Sequence, residues 1–165
     1  MIWALIIVLG FILDRLTKFW VLDSLVNSPV TVIDNFFYFR YLENRGAAFS
    51  ILQGKTILLI TLTFIVTLIL IFIIAKHKDK FLRTSLSLIV AGALGNLFDR
   101  IFRGGSVIDF IEFHFGSHAF PTFNIADTLV VIGTILLAIY VLFIYKEEKK
   151  VEATEKEQIS DDTDN

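Results

Sequence analysis

Residues 56–75 read TILLITLTFIVTLILIFIIA, a run without a single charge. About twenty such residues, wound as a helix, cross the hydrocarbon core of a bilayer, so this stretch decides the class of fold. Three further apolar runs flank it. Residues 125–145 are equally long but carry one charge, Asp127, near their start. Residues 1–22 hold Asp14, Arg15 and Lys18 in their second half, and residues 81–102 close on Asp99 and Arg100. The expected architecture is an all-α membrane protein with four transmembrane helices. A cleaved signal peptide is the other reading of the first run, but it lacks a basic start and a small-residue cleavage site.

Composition points the same way. The chain of 165 residues is 55% hydrophobic with a mean hydropathy of +0.71, above the apolar share of a soluble domain. Net charge is -2 and the acidic excess lies in the last twenty residues, which leaves no basic face for nucleic acid. Cysteine is absent, which removes disulfides, thiol catalysis, thiolate metal sites and self-lipidation together.

Four spans put both termini on one side. Lys76, Lys78 and Lys80, with Arg83 close behind, form the densest basic link, and the positive-inside rule makes it cytoplasmic. Lys146, Lys149 and Lys150 agree with this, leaving residues 23–55 and 103–124 as outer loops. Residues 29–52, PVTVIDNFFYFRYLENRGAAFSIL, have β-branched and aromatic runs broken at Asp34-Asn35 and Gly46, so two or three short strands are expected there. The tail, residues 146–165, has almost nothing apolar to bury and is expected to be disordered or a frayed helical extension.

The polar residues of the spans gather at the outer side, where charges usually face a protein interior or a wet cavity. Asp14 and Lys18 are spaced for an i,i+4 pair, and snorkelling of Lys18 to the interface is the plain alternative. Asn44-Arg45-Gly46 alone reads as a turn. Asn96 and Arg100 share one helix face, beside a small-residue surface of Ala91, Gly92, Ala93 and Gly95 on which another helix can pack. Asn124 and Asp127 have the spacing of an N-cap and its first-turn carboxylate, and capping alone would explain both.

Capping does not explain Asp109, which stands in Val107-Ile108-Asp109-Phe110-Ile111 with apolar neighbours on each side. A carboxylate there is costly unless something uses it. If the loop folds back so that Asp109 meets Asp127, the two would share one proton in a partly dry site, the arrangement of aspartic proteases. The helix N-terminus would favour Asp127 as the ionised member. Other chemistries fit less well. His114 and His118 are i,i+4 if helical but lack a zincin glutamate or third ligand, and neither a Ser-His-Asp order nor a Gly-x-Ser-x-Gly turn occurs. The phenylalanines of residues 110–123 fit an amphipathic segment lying in the interface.

Taken in chain order, Asp14-x-x-Thr17-Lys18, Asn44-x-Gly46-x-Ala48-Phe49, Gly95-Asn96-x-x-Asp99-Arg100, Val107-x-Asp109-Phe110 and Phe123-Asn124-x-Ala126-Asp127 resemble the lipoprotein (type II) signal peptidases of bacteria. Thr128 departs mildly, since that family often has serine there. The resemblance covers residues 1–145. It implies four transmembrane helices with cytoplasmic ends in the bacterial cytoplasmic membrane, a small outer β-cradle between the first two, and an outer interfacial helix between the last two. It implies Asp109 and Asp127 as the catalytic dyad, with Asp14, Lys18, Asn44, Gly46, Asn96, Arg100 and Asn124 lining or supporting the substrate site and Asp99 structural.

The implied substrate is a diacylglyceryl-modified prolipoprotein, cut on the amino side of its lipidated cysteine at the membrane boundary, by a monomer in contact with membrane lipids. Neither metal nor organic cofactor is implied. On the aromatic pattern alone, and not on the resemblance, Phe110, Phe113, Phe115 and Phe120 are expected to form a mobile clamp over the bound lipopeptide. Rival readings are an intramembrane aspartyl protease of another type, whose Gly-x-Gly-Asp motif is absent, a small proton-coupled transporter or channel subunit using Asp14, Asp99 and Asp127, and a non-catalytic assembly factor.

Overall fold

A computed structural model of the chain describes residues 1–46 and 52–145. Ala48 and Phe49 of the second motif, and the tail expected to be disordered, lie outside the described residues. Four helices form the body: α1 (Ile2–Ser24), α2 (Thr56–Lys76), α3 (Lys80–Phe102) and α4 (Ile125–Ile139), the last continuing as a π-helical turn, Tyr140–Ile144. Among the described residues, α2, α3 and the stretch Ile125–Ile144 are long and apolar enough to cross a membrane. α1 has the length but carries Asp14, Arg15, Lys18 and Asp23.

Helix α3 is the centre, packed against by α1, α2 and α4. Its small residues make that possible. A Cβ on Gly92 would meet the Ala126 carbonyl, and one on Gly95 would lie 2.6 Å from Asp14 Oδ2, so both neighbours approach to backbone distance. Helix α2, by contrast, fully buries only Leu59, Thr67 and Ile74 and leaves most of its apolar surface bare, as a lipid-facing helix does. Asp79 opens α3 by accepting from Leu82 N at 2.7 Å. At that end Ile74, Leu82, Leu86, Val90 and Tyr140 make one core cluster.

At the other end sits a four-stranded antiparallel sheet, ordered β1 (Val30–Ile33), β2 (Phe37–Asn44), β3 (Val107–Phe115), β4 (His118–Ala119). Both long loops therefore contribute to one sheet, through pairs such as Phe37 with Phe113 and Asn44 with Val107. The interfacial helix expected within residues 103–124 is not formed. Val107–Phe115 is a strand because β-branched and aromatic residues fill both its faces, and β2 supplies the partner; the Phe37 and Phe113 rings stack 4.8 Å apart. Phe110 is not part of a mobile clamp either. It is 2% exposed, in a second core cluster with Val21, Leu25 and Ile108, and packs edge-on against Trp20. Phe113 is held in the stack, whereas Phe115 and Phe120 are exposed.

Candidate functional site

Three chain segments converge where the sheet meets the bundle. Strand β3 presents Asp109. Between the pairs Phe39 with Ile111 and Leu42 with Asp109, β2 has one residue more than β3, a bulge that bends the strand just before Asn44. Asn44 lies diagonal to Asp109 across the strand pair and donates from Nδ2 to Asp109 Oδ2 at 3.0 Å. After β4 the chain returns and bridges to β3, Phe123 N donating to Ile111 O at 3.1 Å and Ile111 N to Phe123 O at 2.9 Å. That bridge sets the next residue, Asn124, beside Asp109.

Asn124 then opens α4. Its Oδ1 accepts from Asp127 N at 2.9 Å while Asp127 Oδ2 accepts from Asn124 N at 3.2 Å, a complete capping box. The same side chain has a second task. Asn124 Nδ2 donates to Asp109 Oδ1 at 2.6 Å and also reaches Ile108 O at 3.1 Å. One amide thus caps α4 with its oxygen and bonds Asp109 with its nitrogen, so a single residue lies between the two carboxylates. Asn96 of α3 completes the ring, donating from Nδ2 to Asp127 Oδ1 at 2.7 Å.

A second layer of charge lies behind. Lys18, 1% exposed, does not snorkel: its ammonium contacts Asp14 Oδ1 at 3.1 Å, Asp99 Oδ2 at 2.8 Å and Asn96 Oδ1 at 3.0 Å. Arg15 bonds Asp99 at 2.6 Å and Gly95 O at 2.9 Å and pairs with Asp14. The remaining lone pairs reach into the site. Asp14 Oδ1 accepts from Ala126 N at 3.0 Å, and Asp99 Oδ2 accepts from Ile108 N at 3.3 Å. Each is the residue immediately before one of the two aspartates. The ionic layer therefore fixes the backbone at both Asp109 and Asp127. An ammonium only donates, so Lys18 also orients the Asn96 amide with its nitrogen toward Asp127.

Arg100 takes a third position. It is 9% exposed, bonds the Gly46 carbonyl at 2.9 Å, and its charge is felt by both Asp127 and Asp109. Gly46 in turn donates from its amide to Asn44 Oδ1 at 2.9 Å, so α3 and β2 are tied together beside Asp109. Asp109 itself is 1% exposed, and burial, with the Asp127 charge adding to it, pushes its carboxyl up to about 7 against the bonds from Asn44 and Asn124.

The ten residues named as dyad, lining, supporting or structural thus fall in this two-layer arrangement, Asp14, Lys18 and Asp99 in the ionic layer and the rest around Asp109 and Asp127. Arg15 was missed as a member. The signal for it was arithmetic: two cations in α1 against one local carboxylate require another from a neighbouring span. His114 and His118 fall on β3 and β4, His114 hydrogen-bonded to Glu112, outside the site.

The family model for Signal peptidase (SPase) II matches residues 6–143. The chain is 52% identical over 143 residues to the lipoprotein signal peptidase of Clostridium novyi (strain NT), covering 84% of this chain and 96% of that one. Against the lipoprotein signal peptidase of Clostridium tetani (strain Massachusetts / E88) the identity is 51% over 148 residues, 87% and 92% of the two chains. A bacterial membrane enzyme solved by the in meso method is similar at a TM-score of 0.77 and 37% identity, over 85% of this chain and 87% of that one.

Proposed function

The chain belongs to the signal peptidase II family, and from that premise we propose that it is an intramembrane aspartic endopeptidase acting on diacylglyceryl-modified prolipoproteins. It cuts on the amino side of the lipidated cysteine. The observation that carries the mechanism is that Asn124 holds both carboxylates, Asp109 through its side-chain nitrogen and Asp127 through its backbone nitrogen.

Asp127, in the first turn at the N-terminus of α4, is the ionised member, and Asp109, whose carboxyl burial pushes up to about 7, the protonated one. Asp127 takes a proton from a water held between them, and the water oxygen attacks the scissile carbonyl carbon. Asp109 gives its proton to the carbonyl oxygen. When the tetrahedral diol collapses, the carbon–nitrogen bond breaks, the cysteine nitrogen takes the proton from Asp127, and a diol hydroxyl returns one to Asp109. Arg100 and the amides of Asn44, Asn96 and Asn124 keep the two carboxyls in place without a cation bonded directly to either.

The protein works as a monomer in the bacterial cytoplasmic membrane. Helix α1 is the fourth span, because Asp14 and Lys18 turn their charge inward to α3 instead of toward lipid. The sheet lies on the extracytoplasmic side, opposite the basic 76–83 link and both termini. The lipid on the substrate explains the depth of the dyad: acyl chains that stay in the bilayer hold the scissile bond at the boundary, where water also reaches.

The test is cleavage of a diacylglyceryl-modified prolipoprotein by the purified, detergent-solubilised protein, with an unlipidated substrate alongside. Cleavage of the lipidated form alone, lost in folded Asp109→Asn and Asp127→Asn variants, supports the reading. Near-normal activity in either variant sinks the two-carboxylate mechanism.

A further inference from the structure

A surface between α1 and α3, lined by cations of the ionic layer and by none of the residues bonded to Asp109 or Asp127, has the features of a second ligand site. Two openings meet there at Phe98. One, of about 310 Å³, is lined by Arg15, Lys18 and Arg103 together with Leu16 and Phe19. The other, of about 260 Å³, is lined only by apolar side chains, among them Phe11, Leu94, Ile101 and Phe102. Phe98 belongs to both, and the Arg15 guanidinium lies 4.8 Å from the centre of its ring.

Charge does not balance in the first opening. Asp14 and Asp99 face three cations, Arg15, Lys18 and Arg103. Arg15 and Lys18 are spent on those carboxylates and on Gly95 and Asn96. Arg103 is the surplus one. It is 34% exposed at the end of α3, its single ion-pair contact among the described residues is Nε to Asp99 Oδ1 at 3.3 Å, and that Nε makes no hydrogen bond. A cation left over beside a membrane span attracts an anion that is also at home there.

The order of the openings along the helices fits one kind of ligand. The apolar groove lies toward the bundle middle, at Phe11 and Leu94, and the cationic pocket toward the sheet end, at Phe19 and Arg103. A phospholipid has this layout, with chains inward and phosphate at the boundary. We propose that the α1–α3 surface holds one anionic phospholipid, its phosphate at Arg103 and an acyl chain along Phe98 in the Phe11–Phe102 groove. The diacylglyceryl group of a prolipoprotein has no phosphate and does not satisfy Arg103, so this site is separate from the one at the dyad and does not depend on the activity proposed above.

Native mass spectrometry of the full-length protein in detergent, titrated separately with phosphatidylglycerol, with diacylglycerol of the same chains and with inorganic phosphate, tests this. The expected result is one phosphatidylglycerol retained in preference to diacylglycerol and not displaced by inorganic phosphate. Arg103→Gln should weaken retention about fivefold, the affinity equivalent of one basic residue at an anionic lipid surface. Ile101→Trp fills the chain groove without touching charge and should also cut retention, which keeps the test alive if Arg103→Gln does not fold. Equal retention of diacylglycerol, displacement by inorganic phosphate alone, or wild-type retention in either folded variant overturns the proposal.

Discussion

Asp14 and Asp99 on one side, and Asp109 and Asp127 on the other, are linked through Lys18 and Asn96, yet their surroundings are opposite. The first pair is met by ammonium and guanidinium groups at 2.5–3.3 Å. The second pair is met by amides, from Asn44, Asn96 and Asn124. A cation bonded to a buried carboxylate keeps it ionised, whereas an amide holds it in place in either protonation state. On the proposed mechanism the difference separates a layer that holds the backbone at both aspartates from one whose proton moves.

The largest effect expected from breaking this contrast is on the amide-held side. Asp109→Asn or Asp127→Asn should lower turnover by about four orders of magnitude. Melting in detergent should change far less than turnover, because each substitution is isosteric and breaks no ion pair. The cation-held side should respond the other way round. Asp99→Ala leaves Arg15 and Lys18 sharing Asp14 and Arg103 without its ion-pair partner, and loss of one partner from a buried ionic group costs about 3–5 kcal/mol. Thermal unfolding reads this directly; an unchanged melting temperature would show that the layer is not structural.

The pH profile sharpens the contrast further. With Asp109 pushed up to about 7 and required in its protonated form, kcat/KM should fall about tenfold per pH unit above that point. Stability has a matching slope. The folded protein holds the Asp109 proton more tightly than the unfolded chain, so that contribution is full below about pH 4 and is lost as pH rises through about 7. Chemical denaturation across that range should show the slope in the wild type and not in Asp109→Asn. The smallest effect is expected at Asn44. Removing its donor with Asn44→Ala disfavours the ionised form of Asp109, and the alkaline limb should move upward by roughly half to one pH unit. A downward move would mean that Asn44 does not act on the Asp109 charge.

How much of this was legible in sequence depends on the range of the contact. Helix α2 declares itself through an unbroken apolar run, and the capping box at Asn124 and Asp127 through a spacing of three residues. Asp109 stands out because nothing around it is polar. The strand that carries it does not: Val107–Phe115 alternates apolar and polar residues too loosely to separate a strand from an interfacial helix, and its partner β2 lies more than sixty residues earlier in the chain. The burial of Lys18 was hidden for the same reason. Snorkelling and pairing look alike until Asp99, from another helix, comes within 2.8 Å.

The bond from Ala126 N to Asp14 Oδ1 joins residues 112 positions apart, the first helix to the last. During synthesis α1 leaves the ribosome long before α4, and until α4 arrives Asp14 has no amide to cap and Asp127 has no place beside Asp109. On the proposed mechanism, cutting power is therefore withheld from every unfinished chain and appears only when the final helix docks, so a growing polypeptide in the membrane exposes no half-built protease to its neighbours.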